Sequence, residues 1–85
     1  MYYYIVFTSR SQTLSFFKIL SNYGFDANII NAPESISSIC NICIKILTKD
    51  FDSIKRIIIT QNFSSFVGVY KYDFYNRNHI LKKIF

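Results

Sequence analysis

Two helices on one face of a four-stranded antiparallel sheet is the α+β fold that this sequence predicts, on three observations. Four runs rich in aromatic and β-branched residues alternate with two segments of helical period, in the order β-α-β-β-α-β. Crossovers within a sheet are right-handed, which sends both helices to the same side. The first and third strand segments are the most apolar, as central strands covered on both faces should be.

Each element has its own warrant. Tyr2–Thr8 is apolar on both alternating sets, with Ile5 and Phe7 expected against the helices and Tyr2 and Tyr4 on the opposite face. Ser9–Ser11 offers an N-cap, and Leu14, Phe16, Phe17, Ile19, Leu20 and Tyr23 then recur at helical spacing. Gly24 stands where a left-handed residue would stop that helix. Phe25–Asn31 alternates with Asp26 and Asn28 on one side, which marks an edge strand, and Pro33 ends it. Asn41–Leu47 reads as a third strand, with Ile42, Ile44 and Ile46 on the core side and Cys43, Lys45 and Leu47 on the other. Asp50 or Asp52 caps a second helix over Phe51–Gln61. Ser65–Tyr72 is the fourth strand, where Gly68 marks a bulge or a close backbone contact. The arrangement is ferredoxin-like.

One domain over residues 1–73 accounts for these elements. Residues 74–85 form a basic tail, in which Ile80, Leu81, Ile84 and Phe85 fit one face of a short helix. Arg77, Lys82 and Lys83 follow the last acidic residue, so the tail carries +3 of the net +5 and the body only +2. The charge is therefore a local feature of the tail. A chain of this size buries roughly two-thirds of its unfolded surface. Seven Tyr and nine Phe supply a core without disulfide or metal and leave apolar surface over, which points to a homo-oligomer.

Several classes of function are set aside. Residues 1–7 lack the basic start and the length of a secretion signal, and no apolar run approaches the ~20 residues that span a membrane. With two cysteines, the expectation is a cytoplasmic protein with reduced thiols. Gly24 and Gly68 are too far apart for a phosphate loop, His79 is a lone tail histidine, and Asp50 and Asp52 read as caps. No enzyme, cofactor or metal site is expected.

The segment left over is the connector between the second and third strands, Ala32–Asn41. It holds the only proline, three serines and Cys40. Thiolate is the reactive form of cysteine. Backbone N–H groups and hydroxyls near Ser37, Ser38 and Asn41 would make an anion-binding concavity for it. The plain alternative is a cysteine packed as a small hydrophobe. Cys40 and Cys43 also spell Cys-x-x-Cys. In an extended strand they would lie roughly 10 Å apart on opposite faces, beyond disulfide reach unless Cys40 lies in the turn.

Pro33-Glu34-Ser35-Ile36-Ser37-Ser38-Ile39-Cys40-Asn41, leading into an apolar strand, resembles the Pro-x-x-Ile-Ser-Ser-x-Cys-Gly segment of the selenium/sulfur carrier protein-like family. The resemblance extends over about residues 4–72, through a helix like Thr13–Gly24, a second helix Phe51–Gln61 and the closing Gly68-Val69-Tyr70. This chain has Asn41 where the family favours Gly, and Glu34 where a basic residue is common. The resemblance implies a non-catalytic carrier holding sulfur or selenium as a persulfide, or its selenium analogue, on Cys40. Its partners would be donor and acceptor proteins. Two other readings stay open: an oligomeric structural or regulatory module with Cys40 merely buried, and a sheet that stacks single-stranded RNA on Tyr2 and Tyr4.

Overall fold

The computed structural model describes residues 2–34, 36–38, 41–75 and 78–85, with side chains described outside 72–81. The elements are β1 (Tyr2–Phe7), α1 (Arg10–Asn22), β2 (Asp26–Asn31), β3 (Ile42–Leu47), α2 (Phe51–Gln61), β4 (Phe66–Tyr75) and β5 (Asn78–Lys83). The strands lie in the order β2-β3-β1-β4-β5, and every neighbouring pair is antiparallel. The α+β class and its two helices are as expected, and β2 is an edge strand. The sheet has five strands, not four.

The fifth strand replaces the expected tail helix. Tyr70, Tyr72, Phe74 and Tyr75 have high β-propensity and carry β4 beyond Tyr72. Its outer edge would then leave a long row of unpaired backbone groups. Residues 78–83 satisfy that edge, with Tyr75 opposite Asn78 and Tyr70 opposite Lys83. The chain end docks on the body. The Ile84 N–H donates to the Val69 carbonyl at 2.9 Å. The Phe85 ring lies 5.9 Å from that of Phe66, with the Lys55 ammonium 5.3 Å from its centroid.

Local chemistry sets the helix ends. The Gln12 N–H donates to Ser9 Oγ at 3.2 Å, which caps α1. The Gln12 side chain then spans to the turn before β4, accepting from the Ser65 N–H at 2.9 Å and donating to Ser64 Oγ at 3.1 Å. Gly24, at φ 85°, takes the left-handed turn out of α1, and Asn62, at φ 50°, does the same for α2.

Asp50 caps α2. Its carboxylate accepts from the Ser53 N–H at 3.1 Å and from the Ser53 hydroxyl at 2.6 Å. The hydroxyl bond first, then the backbone bond, hold its pKa below the ordinary value, with Arg56 adding to the effect. A carboxyl whose pKa is depressed in the folded state stabilises above its unfolded pKa and loses that contribution as pH falls through the folded one. Asp50→Ala is therefore expected to lower the Tm at neutral pH, and the gap to wild type should close on acidification below the usual carboxylate range. Thermal melts across pH check this; a gap independent of pH would show that the cap acts without its charge.

Both helices cover one sheet face. Phe16 and Leu20 of α1 and Ile54 and Ile58 of α2 pack on Tyr3, Ile5, Phe7, Ile44, Ile46 and Val69. Between Val6 and Phe7 the pairing with β4 shifts by a residue, which is a bulge beside Gly68. The nearest neighbour of Gly68 is a side chain: a Cβ there would stand 2.6 Å from Lys83 Cε and 3.4 Å from the Phe85 carbonyl oxygen.

Candidate functional site: the β2–β3 connector and the sheet face beneath it

The second sheet face carries no helix, yet half of it is buried. Tyr4, Val6, Ile36, Ile42 and Cys43 form a second cluster there, flanked by Ile29, Ile30, Ala32, Val67 and Tyr70. Ile36 belongs to the connector. Ile42 was expected on the helix side with Ile44 and Ile46; as the first residue of β3 it joins this cluster under the connector instead.

The connector folds onto the sheet by short-range hydrogen bonds. Pro33 has no N–H and cannot extend the β2 ladder. The Ala32 N–H donates to the Asn41 carbonyl at 2.9 Å and closes the loop at its base. The Ile36 N–H donates to the Pro33 carbonyl at 2.9 Å, and the Ser37 N–H to the Glu34 carbonyl at 3.4 Å. These overlapping turns aim Ile36 inward, where it is 2% exposed. The Ser37 hydroxyl also donates to the Glu34 carbonyl, at 3.1 Å. Both Ser37 donors, expected to face an anion, thus hold the turn. Ser37, Ser38 and Asn41 are all exposed. Cys40 lies outside the described residues.

The second cysteine is in a different setting. Cys43 is fully buried in β3 among Tyr4, Val6 and Ile36. Tyr4 is buried beside it, and its pKa is raised by burial first and then by Cys43 and Tyr2. Lys45, on the same strand as Cys43, leans away from the connector. Its ammonium sits 4.3 Å from the centre of the Tyr2 ring, and Tyr2 pairs with Leu47 at the far end of β3. Tyr2, Asp26, Asn28, Ile30, Lys45 and Leu47 line a shallow groove of 280 Å³ on this side. Tyr4 therefore offers no bare ring for a base, and one face of Tyr2 is taken by Lys45.

Sequence reasoning missed Ile36 as a core residue. The available signal was a large aliphatic side chain set between Pro33-Glu34-Ser35 and Ser37-Ser38, in a loop beside a sheet face that needed a cover. Among the described residues no three His, Cys, Asp or Glu side chains gather as metal ligands. No helix among them is long and apolar enough to cross a membrane.

These features define a small α+β domain whose β2–β3 connector, serine-bearing and with a cysteine in its sequence, packs through Ile36 on a sheet face that the helices leave open. A family model described as "Putative Se/S carrier protein-like" matches residues 2–69, and the chain belongs to that family. The match ends within β4, so β5 and the docked Phe85 lie beyond it. No curated protein and no solved structure matches the chain.

Proposed function

We propose that this protein is a small non-catalytic carrier, a ferredoxin-like sheet to which β5 has been added, that holds sulfur, or selenium in its place, on Cys40. The observation that carries the reading is the contrast between the two cysteines in a member of this family: Cys43 is sealed in the sheet, and Cys40 belongs to the connector. A donor protein cannot reach a thiol that is 0% exposed in a folded strand. Ser38 and Asn41, exposed and neighbours of Cys40 in the sequence, would supply polar groups for an incoming sulfur group.

The transfer is a displacement. The Cys40 thiolate attacks the outer sulfur of a donor persulfide, the bond between the donor's two sulfurs breaks, and the donor leaves as a thiolate. Cys40 then carries the persulfide to an acceptor, with no external oxidant or reductant. Donor and acceptor would be cytoplasmic proteins. Tyr2 and Leu47, opposite one another in register and 43% and 40% exposed, give them or a second copy an apolar patch to rest on.

Incubation of the native protein with a small-molecule persulfide donor, followed by intact mass spectrometry, tests this. Wild type and Cys43→Ser are expected to gain one sulfur atom and Cys40→Ser none. A thiol reagent should label Cys40 in the native state with a thiolate-like pH dependence. If Cys40 reacts only on unfolding, the carrier reading fails, and an interaction module built on the Tyr2–Leu47 face becomes the better account.

A further inference from the structure

We propose that Ile36 is a positioning residue that keeps the Cys43 thiol out of the sulfur chemistry of Cys40; the proposal rests on the carrier reading above. A side chain on a sheet face has neighbours beside it, from the adjoining strands, but nothing above it unless another element covers that face. Both helices lie on the other face. Cys43 is nevertheless 0% exposed. The members of its cluster are strand residues of β1, β2, β3 and β4, with two exceptions, Ile36 and Ala32. Ala32 has only a methyl group and is partly buried, whereas Ile36 is almost wholly buried. Ile36 is thus the roof over Cys43 among the described residues.

A persulfide carrier needs such a roof. Cys43 follows Cys40 by three positions, so a released Cys43 would be tethered close to the loaded sulfur. Its thiolate, having given its proton to solvent, would attack the inner sulfur of the Cys40 persulfide. A Cys40–Cys43 disulfide forms, the bond to the outer sulfur breaks, and hydrosulfide departs. The Cys43 sulfur is oxidised from the thiol to the disulfide level, the outer sulfur is reduced to sulfide and the Cys40 sulfur keeps its level, so the step needs no further reagent. It would discharge the cargo as free sulfide before an acceptor arrived. Burial blocks it, both by denying access and by raising the energy of a thiolate in apolar surroundings.

The test separates this role from plain stability and from the carrier reading. In a Cys40→Ser background, Ile36→Ala is expected to raise the native-state alkylation rate of Cys43 by about tenfold or more, since it removes the larger of the two described connector side chains on that face and so lowers the cost of local opening. Ile36→Val should restore most of the protection. Leu20→Ala, which damages the opposite face of the sheet, is the stability control and should leave Cys43 protected at the same distance from its Tm. Equal labelling in the Ile36 and Leu20 variants, or rapid labelling with Ile36 present, overturns the proposal. In the chain with both cysteines, loaded with a small persulfide, Ile36→Ala should shorten the persulfide lifetime and yield disulfide and sulfide. Ile36→Ala/Cys43→Ser should restore the lifetime. A loaded Ile36→Ala protein that keeps its sulfur as long as wild type also overturns the proposal. If wild type never loads, the carrier reading fails, and the alkylation arm alone decides whether Ile36 shields Cys43.

Discussion

Phe7→Ala is expected to lower the unfolding free energy by about 3–5 kcal/mol. Phe7 is 1% exposed and sits at the centre of a ring cluster, 5.3 Å from Phe16, 5.8 Å from Phe63 and 5.6 Å from Phe66. Two of these contacts are edge-on, the geometry that aromatic quadrupoles favour. Truncation removes the transfer free energy of the ring and leaves a hole that the bulge beside it cannot collapse to fill, because Phe7 is held by its pairing with Phe66. At the usual stability per residue, 85 residues supply about 4–13 kcal/mol, so the loss is a large fraction of the whole. The Tm should fall by at least about 12 °C. Denaturant and thermal melts followed by circular dichroism measure both quantities. Leu14→Ala, on the exposed side of α1, should stay within about 0.5 kcal/mol of wild type. A loss below about 1 kcal/mol for Phe7→Ala would show that the ring cluster is not the mainstay of the core.

Ending the chain after Tyr75 should have an effect of similar size, with a second symptom. The cut removes β5, the Ile84 bond to Val69 and the Phe85 ring against Phe66. β4 would then be a ten-residue edge strand rich in Tyr and Phe. Long, apolar, unpaired edges recruit other chains. The truncated protein is therefore expected to melt lower and to self-associate, which light scattering across a dilution series would detect. A truncated protein with the oligomeric state and Tm of the full chain would mean that the tail is an ornament on β4.

The sequence made the punctuation of the fold readable, because capping chemistry is local. Ser9, Gly24 and Asp50 each act within a turn of where they stand, and all three do what their residue types imply. The interior position of β1 and β3 was readable from their apolarity on both faces. The tail was not, because Ile80, Leu81, Ile84 and Phe85 satisfy a helical spacing as well as a strand, and only the open edge of β4 chooses between them. Ile42 was misplaced for a related reason. Alternation assigns faces within a strand, but a strand's first residue takes its neighbours from the loop that feeds it. At the site, the serines and Cys40 were conspicuous by composition, whereas Ile36 looked ordinary. Its importance comes from a face that the helices leave open, a fact of topology rather than of residue type.

The position of β1 in the sheet has a consequence for biosynthesis. β1 comes first in chain order, yet its two neighbours are β3 and β4, so its second edge is not closed until residues 66–75 are available. At ordinary elongation rates of about 5–20 residues per second, the nascent chain holds Tyr2–Phe7 unsheltered on that side for several seconds. The segment that ends as the most deeply covered part of the molecule is therefore the one that chaperones would meet earliest and hold longest.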